Sequence, residues 1–70
     1  MIEAGDVYKE YNSDRIYVVT RESPFGYDII YTDNGEVCSD CSKLMIKNDI
    51  LLTKCNNFFE GIWAAKEGLY

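Results

Sequence analysis

In Arg15-Ile16-Tyr17-Val18-Val19-Thr20-Arg21, every position between the two arginines is β-branched or aromatic. Such residues suit the pleated, half-buried surface of a sheet. Both faces of the run are largely apolar, which assigns it to the middle of a sheet. Glu22-Ser23-Pro24-Phe25-Gly26 follows as a turn, because proline fixes φ and glycine admits positive φ. Tyr27-Asp28-Ile29-Ile30-Tyr31-Thr32 then returns as the next strand.

Beyond this hairpin, Asp33-Asn34-Gly35 carries the Asn-Gly pair that marks a reversal between β-forming runs. A strict two-residue loop would set Asp33 opposite Glu36, and like charges across a pair are unfavourable. The sequence therefore favours a three-residue loop with a bulge at Gly35. Glu36 to Cys41 reads as a fourth strand, Ser42 to Asp49 as a tight turn or short 3₁₀ segment, and Ile50-Leu51-Leu52-Thr53-Lys54 as a fifth strand. On the other side, Asp6-Val7-Tyr8-Lys9-Glu10-Tyr11 alternates. Val7, Lys9 and Tyr11 form its more apolar face, since a lysine stem can lie along apolar surface. Asn12-Ser13-Asp14 is a turn cluster. Five short strands joined by compact turns predict a mainly β fold, a small five-stranded barrel.

The tail changes period. Asn57 with Glu60 three residues on is an N-cap with its acid. Phe59, Ile62, Trp63 and Lys66 fall at helical spacing, and Gly68 stands where a helix-ending glycine belongs. A helix over residues 57–67 is predicted. Gly61 inside it costs about 1 kcal/mol against alanine, so tertiary packing or a partner must hold it. Seventy residues leave room for one core, so the expected organisation is a single domain over 1–70, with the barrel at 5–54 and a helical extension at 55–70. A domain of this size is marginal without good packing, and its six tyrosines, three phenylalanines and one tryptophan compensate.

The order Gly5-Asp6-Val7-Tyr8, the hairpin Arg15–Thr32, Asn34-Gly35 and the short turn into Ile50-Leu51-Leu52 resembles small SH3-like β-barrel accessory proteins of bacteriophages. The resemblance spans residues 5–54 and leaves the C-terminal aromatic segment outside it. It implies an accessory or host-takeover factor that occupies a host protein, and it carries over no catalytic residue.

Composition narrows the chemistry. The chain has no histidine, so the commonest general base and metal ligand is missing. It also has no phosphate-cradling glycine loop. A non-enzymatic protein with no cofactor is expected. Cys38-x-x-Cys41 has metal-like spacing, but Cys55 supplies only a third sulfur. A structural zinc site wants four ligands, so a zinc-stabilised domain is a lesser alternative and Cys38 or Cys41 is expected as a small buried apolar residue. No run is long and apolar enough to span a membrane and the N-terminus lacks the form of a secretory signal, so the expected place is the cytoplasm, the host's if the chain is phage-encoded.

Net charge is −5, and it is one-sided. Residues 1–36 hold eight acids and three bases, while residues 37–70 hold four of each. A negative field repels phosphate backbones, which disfavours nucleic acid and suits a protein with a basic surface. The predicted partner-binding residues are Glu22, Asp28, Asp33, Glu36 and Asp40, if a hairpin gathers them into one ridge, together with Phe59 and Trp63 of the tail. The plainer alternatives are a charged edge that prevents aggregation and a helix that plugs one end of the barrel. Failing that, the tail is a face for a homodimer or a partner. Tyr8, Tyr11, Tyr17, Tyr27 and Tyr31 give the rival nucleic-acid reading, as a stacking platform, but few bases accompany them.

Overall fold

The computed structural model describes residues 1–70. Its strands are β1 (Asp6–Lys9), β2 (Ile16–Ser23), β3 (Gly26–Tyr31), β4 (Val37–Cys41) and β5 (Ile50–Lys54). Two helices complete it, α1 (Lys43–Lys47) between β4 and β5, and α2 (Phe58–Glu67) at the end. The strands form one antiparallel sheet in the order β4-β3-β2-β1-β5. The run Ile16–Thr20 is therefore central, as its two apolar faces require. The outer strands β4 and β5 do not pair, so the sheet is open and the expected closed barrel is not formed.

Three strands each carry one extra residue. Registers place the insertions at Thr20 in β2, at Ser39-Asp40 in β4 and at Leu52 in β5. Bulges of this kind bend a strand and increase its twist. The bulge in β4 is built around Asp40, whose φ of 56° is the one positive value outside glycine. It also explains the cysteines. Residues three apart on a regular strand point to opposite faces. The extra residue re-phases β4, so that Cys38 opposite Ile29 and Cys41 opposite Tyr27 both pack on the same core.

The β3–β4 loop differs from the expected three-residue form. Ile30 pairs with Val37, and Tyr31 accepts from the Gly35 N–H and donates to the Glu36 carbonyl, which leaves residues 32–35 as a four-residue loop. Gly35 does take positive φ, at 73°. A three-residue loop would have set Cys38 opposite Ile30 and turned it away from the core, so packing of this half-buried thiol on the core favours the longer loop. Residues 42–49 hold a single α-helical turn in place of the expected tight turn or 3₁₀ segment. Ser42 caps it by accepting the Met45 N–H at 3.1 Å, and Ile46 drops into the core with no exposure.

Apolar residues gather on both faces of the sheet. On one face lie Ile2, Tyr8, Tyr17, Val19, Tyr27, Ile29, Tyr31 and Ile46. On the other, Val7, Val18 and Ala65 are buried, with Ile16, Ile30, Leu52, Phe58 and Ile62 half-buried around them. The face of β1 expected to be the more apolar is therefore divided. Val7 is buried under α2 but Tyr11 is 67% exposed, and Tyr8 on the opposite face enters the larger core. β1 is too short to obey one alternation, because sheet neighbours and α2 cover both of its sides.

The helix α2 runs over residues 58–67 as predicted, capped by Asn57, which accepts the Glu60 N–H at 3.0 Å, and closed by Gly68 in the left-handed region. Glu60 reaches back to the Asn56 N–H at 3.1 Å. It lies across β1 and β2 and does not plug a barrel end. Its close approach depends on Gly61, where a Cβ would stand 2.6 Å from Val18 Cγ1 and 2.8 Å from the Gly5 carbonyl oxygen.

Candidate binding surface

The two sides of α2 carry side chains of opposite size. Gly61, Ala64 and Ala65 face the sheet and are buried. Phe59 and Trp63, one turn apart, are 71% and 60% exposed. Phe58 bridges the two sides, half-buried against the sheet with its ring stacked on Phe59 at 4.1 Å between centroids. Helical spacing alone could not tell which aromatic residues faced inward. The small residues decide it, since a glycine and two alanines on one side permit the contact with Val7 and Val18 and push the large rings out.

The five acids are not brought into one ridge. Glu22, Asp28 and Asp40 lie toward the β2–β3 turn, whereas Asp33 and Glu36 lie at the other end of β3. Several are engaged internally. Asp28 accepts Arg21 Nε at 2.6 Å and the Asp40 N–H at 3.1 Å, so it ties together the two strands that flank β3. The Arg21 hydrogen bond, helped by that N–H, holds its carboxyl below the usual range. Asp40 accepts Ser23 Oγ at 2.6 Å. Asp33 is gripped by Arg15 through Nε at 3.0 Å and Nη2 at 3.1 Å, and its carboxyl is likewise lowered by that hydrogen bond. Glu22 and Glu36 are exposed and make no ion pair. Sequence could locate these acids near turns but not their partners, because Arg15 meets Asp33 only across the sheet.

The Asp33–Glu36 end adjoins α2. Thr32 and Gly35 of that loop share a cavity of about 200 Å³ with Ile62 and Lys66. Glu36 follows Gly35 at this contact, and Glu60 and Glu67 lie on α2 with Phe59 and Trp63.

Four of the five tyrosines offered as a stacking platform, Tyr8, Tyr17, Tyr27 and Tyr31, are buried core residues, and only Tyr11 is exposed. Tyr17 donates to Asp49 at 2.5 Å and Tyr31 to Glu10 at 2.8 Å. Burial first, then these carboxylates, push both phenols far above their ordinary value. Arg15 lies over the Tyr31 ring at 3.7 Å. The three cysteines are free thiols, and no three potential ligands are grouped to hold a metal ion. No helix is long and apolar enough to cross a membrane. Comparison with protein-family models, curated proteins and solved structures gave no match.

Proposed function

We propose that the chain is a non-enzymatic protein-binding module whose contact surface is the outer side of α2, centred on Phe59 and Trp63. The observation that carries this is the inversion of side-chain size across the helix, with its smallest residues buried and its largest exposed. Paired aromatics on a helix are typical anchors of a protein interface, inserted into an apolar groove. The expected partner is a protein with such a groove bordered by basic residues, because Glu60 and Glu67 share the helix with the aromatics, Glu36 follows the loop that meets it, and the chain carries −5 overall. That charge opposes self-association through the same face.

The fold is further read as SH3-like. The strand order, the single helical turn between β4 and β5, and the bulges that curl the sheet support this. It agrees with the resemblance to phage accessory proteins that occupy a host protein. The acids form no single ridge, and those nearest the aromatics in the chain are Glu60 and Glu67 of α2 itself.

Affinity capture from a bacterial lysate with the wild-type chain and the Phe59→Ala/Trp63→Ala double variant tests the reading, with sedimentation to follow self-association. A basic protein retained in stoichiometric amount by the wild type alone, weakened by Glu36→Lys, supports it. Identical captured sets for both proteins would sink it, as would a wild-type homodimer that the double variant dissolves.

A further inference from the structure

On the side of the sheet away from α2, a cavity of about 430 Å³ opens between β1, α1 and β5. Its lining includes Tyr8, Lys43, Lys47, Asp49, Leu51 and Lys54. We propose that this cavity binds a small organic anion, with the Tyr8 hydroxyl and the Lys43 and Lys47 ammonium groups holding its phosphate or carboxylate.

The case rests on unused hydrogen-bonding capacity. Tyr8 is only 7% exposed, its ring stacked on Tyr17, yet its hydroxyl has no hydrogen-bond partner in the protein. The neighbouring core tyrosines behave differently, since Tyr17 donates to Asp49 and Tyr31 to Glu10. The ring is held by the core while its oxygen still reaches solvent, so the hydroxyl is open to an acceptor that enters the cavity. Burial, then the nearby Asp6 carboxylate, raise the Tyr8 phenol, so it stays a donor at neutral pH.

The lysines complete the argument. Lys9, Arg15, Arg21 and Lys54 all pair with carboxylates, but Lys43 and Lys47, one turn apart on α1, do not. The one carboxylate in the lining is engaged, and the unpartnered acceptor nearby, Asp6 Oδ1, is fully buried. Asp49 receives the Tyr17 hydroxyl at one oxygen and the Tyr11 N–H at the other, and Asp6 holds Lys54 at 2.8 Å. Free in the lining itself are therefore donors, two of them charged, around a pocket with Leu51 in its wall. Charge-assisted donors suit an oxyanion, and an apolar wall suits an organic body attached to it. The site is independent of the α2 surface, which lies across the sheet.

The test is an NMR titration of the full ¹⁵N-labelled chain at constant ionic strength with inorganic phosphate, phenyl phosphate and benzoate. The expected result is saturable shifts at Tyr8, in residues 43–47 and 49–51, with dissociation constants for the organic anions of about 1 mM or tighter. Phenyl phosphate against benzoate then identifies the preferred headgroup. Tyr8→Phe, which removes a hydroxyl with no protein partner, should keep the fold and weaken binding about tenfold. Lys43→Gln with Lys47→Gln should do at least as much, while Phe59→Ala/Trp63→Ala should change nothing. Absence of saturation at about 10 mM, or equal affinity in the lysine double variant, overturns the proposal. Should Tyr8→Phe disturb the spectrum as a whole, the exposed lysine pair decides alone.

Discussion

The two faces of the sheet solve the burial problem differently. One face is filled with tyrosines, of which Tyr8, Tyr17 and Tyr31 pack ring against ring, and two of which, Tyr17 and Tyr31, donate to Asp49 and Glu10. The other is filled with valines and closed by a glycine and two alanines of α2, a contact that depends on close backbone approach. Large aromatics bring area, and each carries a polar group that must be satisfied. Small residues bring proximity, and the helix that supplies them is left with its own aromatics in solvent. Removing aromatic surface should thus be severe on the first face and nearly silent on the outer side of α2.

The largest expected effect is Tyr17→Ala. Truncating a fully buried aromatic costs about 3–5 kcal/mol, which approaches the roughly 4–10 kcal/mol available to a chain of this length. Urea titration followed by circular dichroism should find the variant largely unfolded; a stable variant would mean that the tyrosine core is not what holds the sheet.

Next comes Gly61→Ala, where two effects compete. Helix propensity favours alanine by about 1 kcal/mol. Against it, the new methyl would stand 2.6 Å from Val18 Cγ1 and 2.8 Å from the Gly5 oxygen, and overpacking costs about 1–3 kcal/mol. A net loss of about 1 kcal/mol in chemical denaturation is expected, and a gain would show that α2 can move away from the sheet freely.

Tyr17→Phe probes the hydroxyl alone. At neutral pH it should cost about 1–2 kcal/mol, because Asp49 loses its phenol donor. Burial of the phenol, and after it this bond, shapes the alkaline limb. A phenol raised in the folded state contributes stability that is complete below its unfolded value near pH 10 and is lost as pH rises above it. Stability should fall there by at most about 1.4 kcal/mol per pH unit for Tyr17. Denaturant midpoints measured between neutral pH and pH 11 should decline less steeply in Tyr17→Phe; parallel curves would break the assignment.

The smallest effect belongs to Phe59→Ala and Trp63→Ala, each expected within about 0.5 kcal/mol of wild type, as for exposed positions. Trp63, the chain's one tryptophan, should be readily quenched by iodide. A shielded, blue-shifted emission or a large stability loss would place it in a core and remove the basis of the proposed interface.

Much of this was legible in advance. The five β-forming positions of Ile16–Thr20 placed a central strand, and Asn57, Glu60 and Gly68 marked the ends of α2, because these signals act within a few residues. The single turn of α1 was not, since five residues are too few to display a helical period. The β3–β4 loop is one residue longer than local charge predicts: repulsion between Asp33 and Glu36 points to a three-residue loop, whereas packing of half-buried Cys38 on the core, opposite Ile29, favours four. The acids were found but not their roles, since Arg21 and the Asp40 N–H reach Asp28 only once the strands are paired.

By itself the sequence determined the kind of element each segment forms, because propensity, capping and turn chemistry are short-range. The tertiary structure alone decided which face of α2 is buried, which acids are neutralised and which hydroxyl is left open to a cavity. Those outcomes depend on which side chains arrive opposite one another across the sheet, and a bulge of one residue is enough to change them.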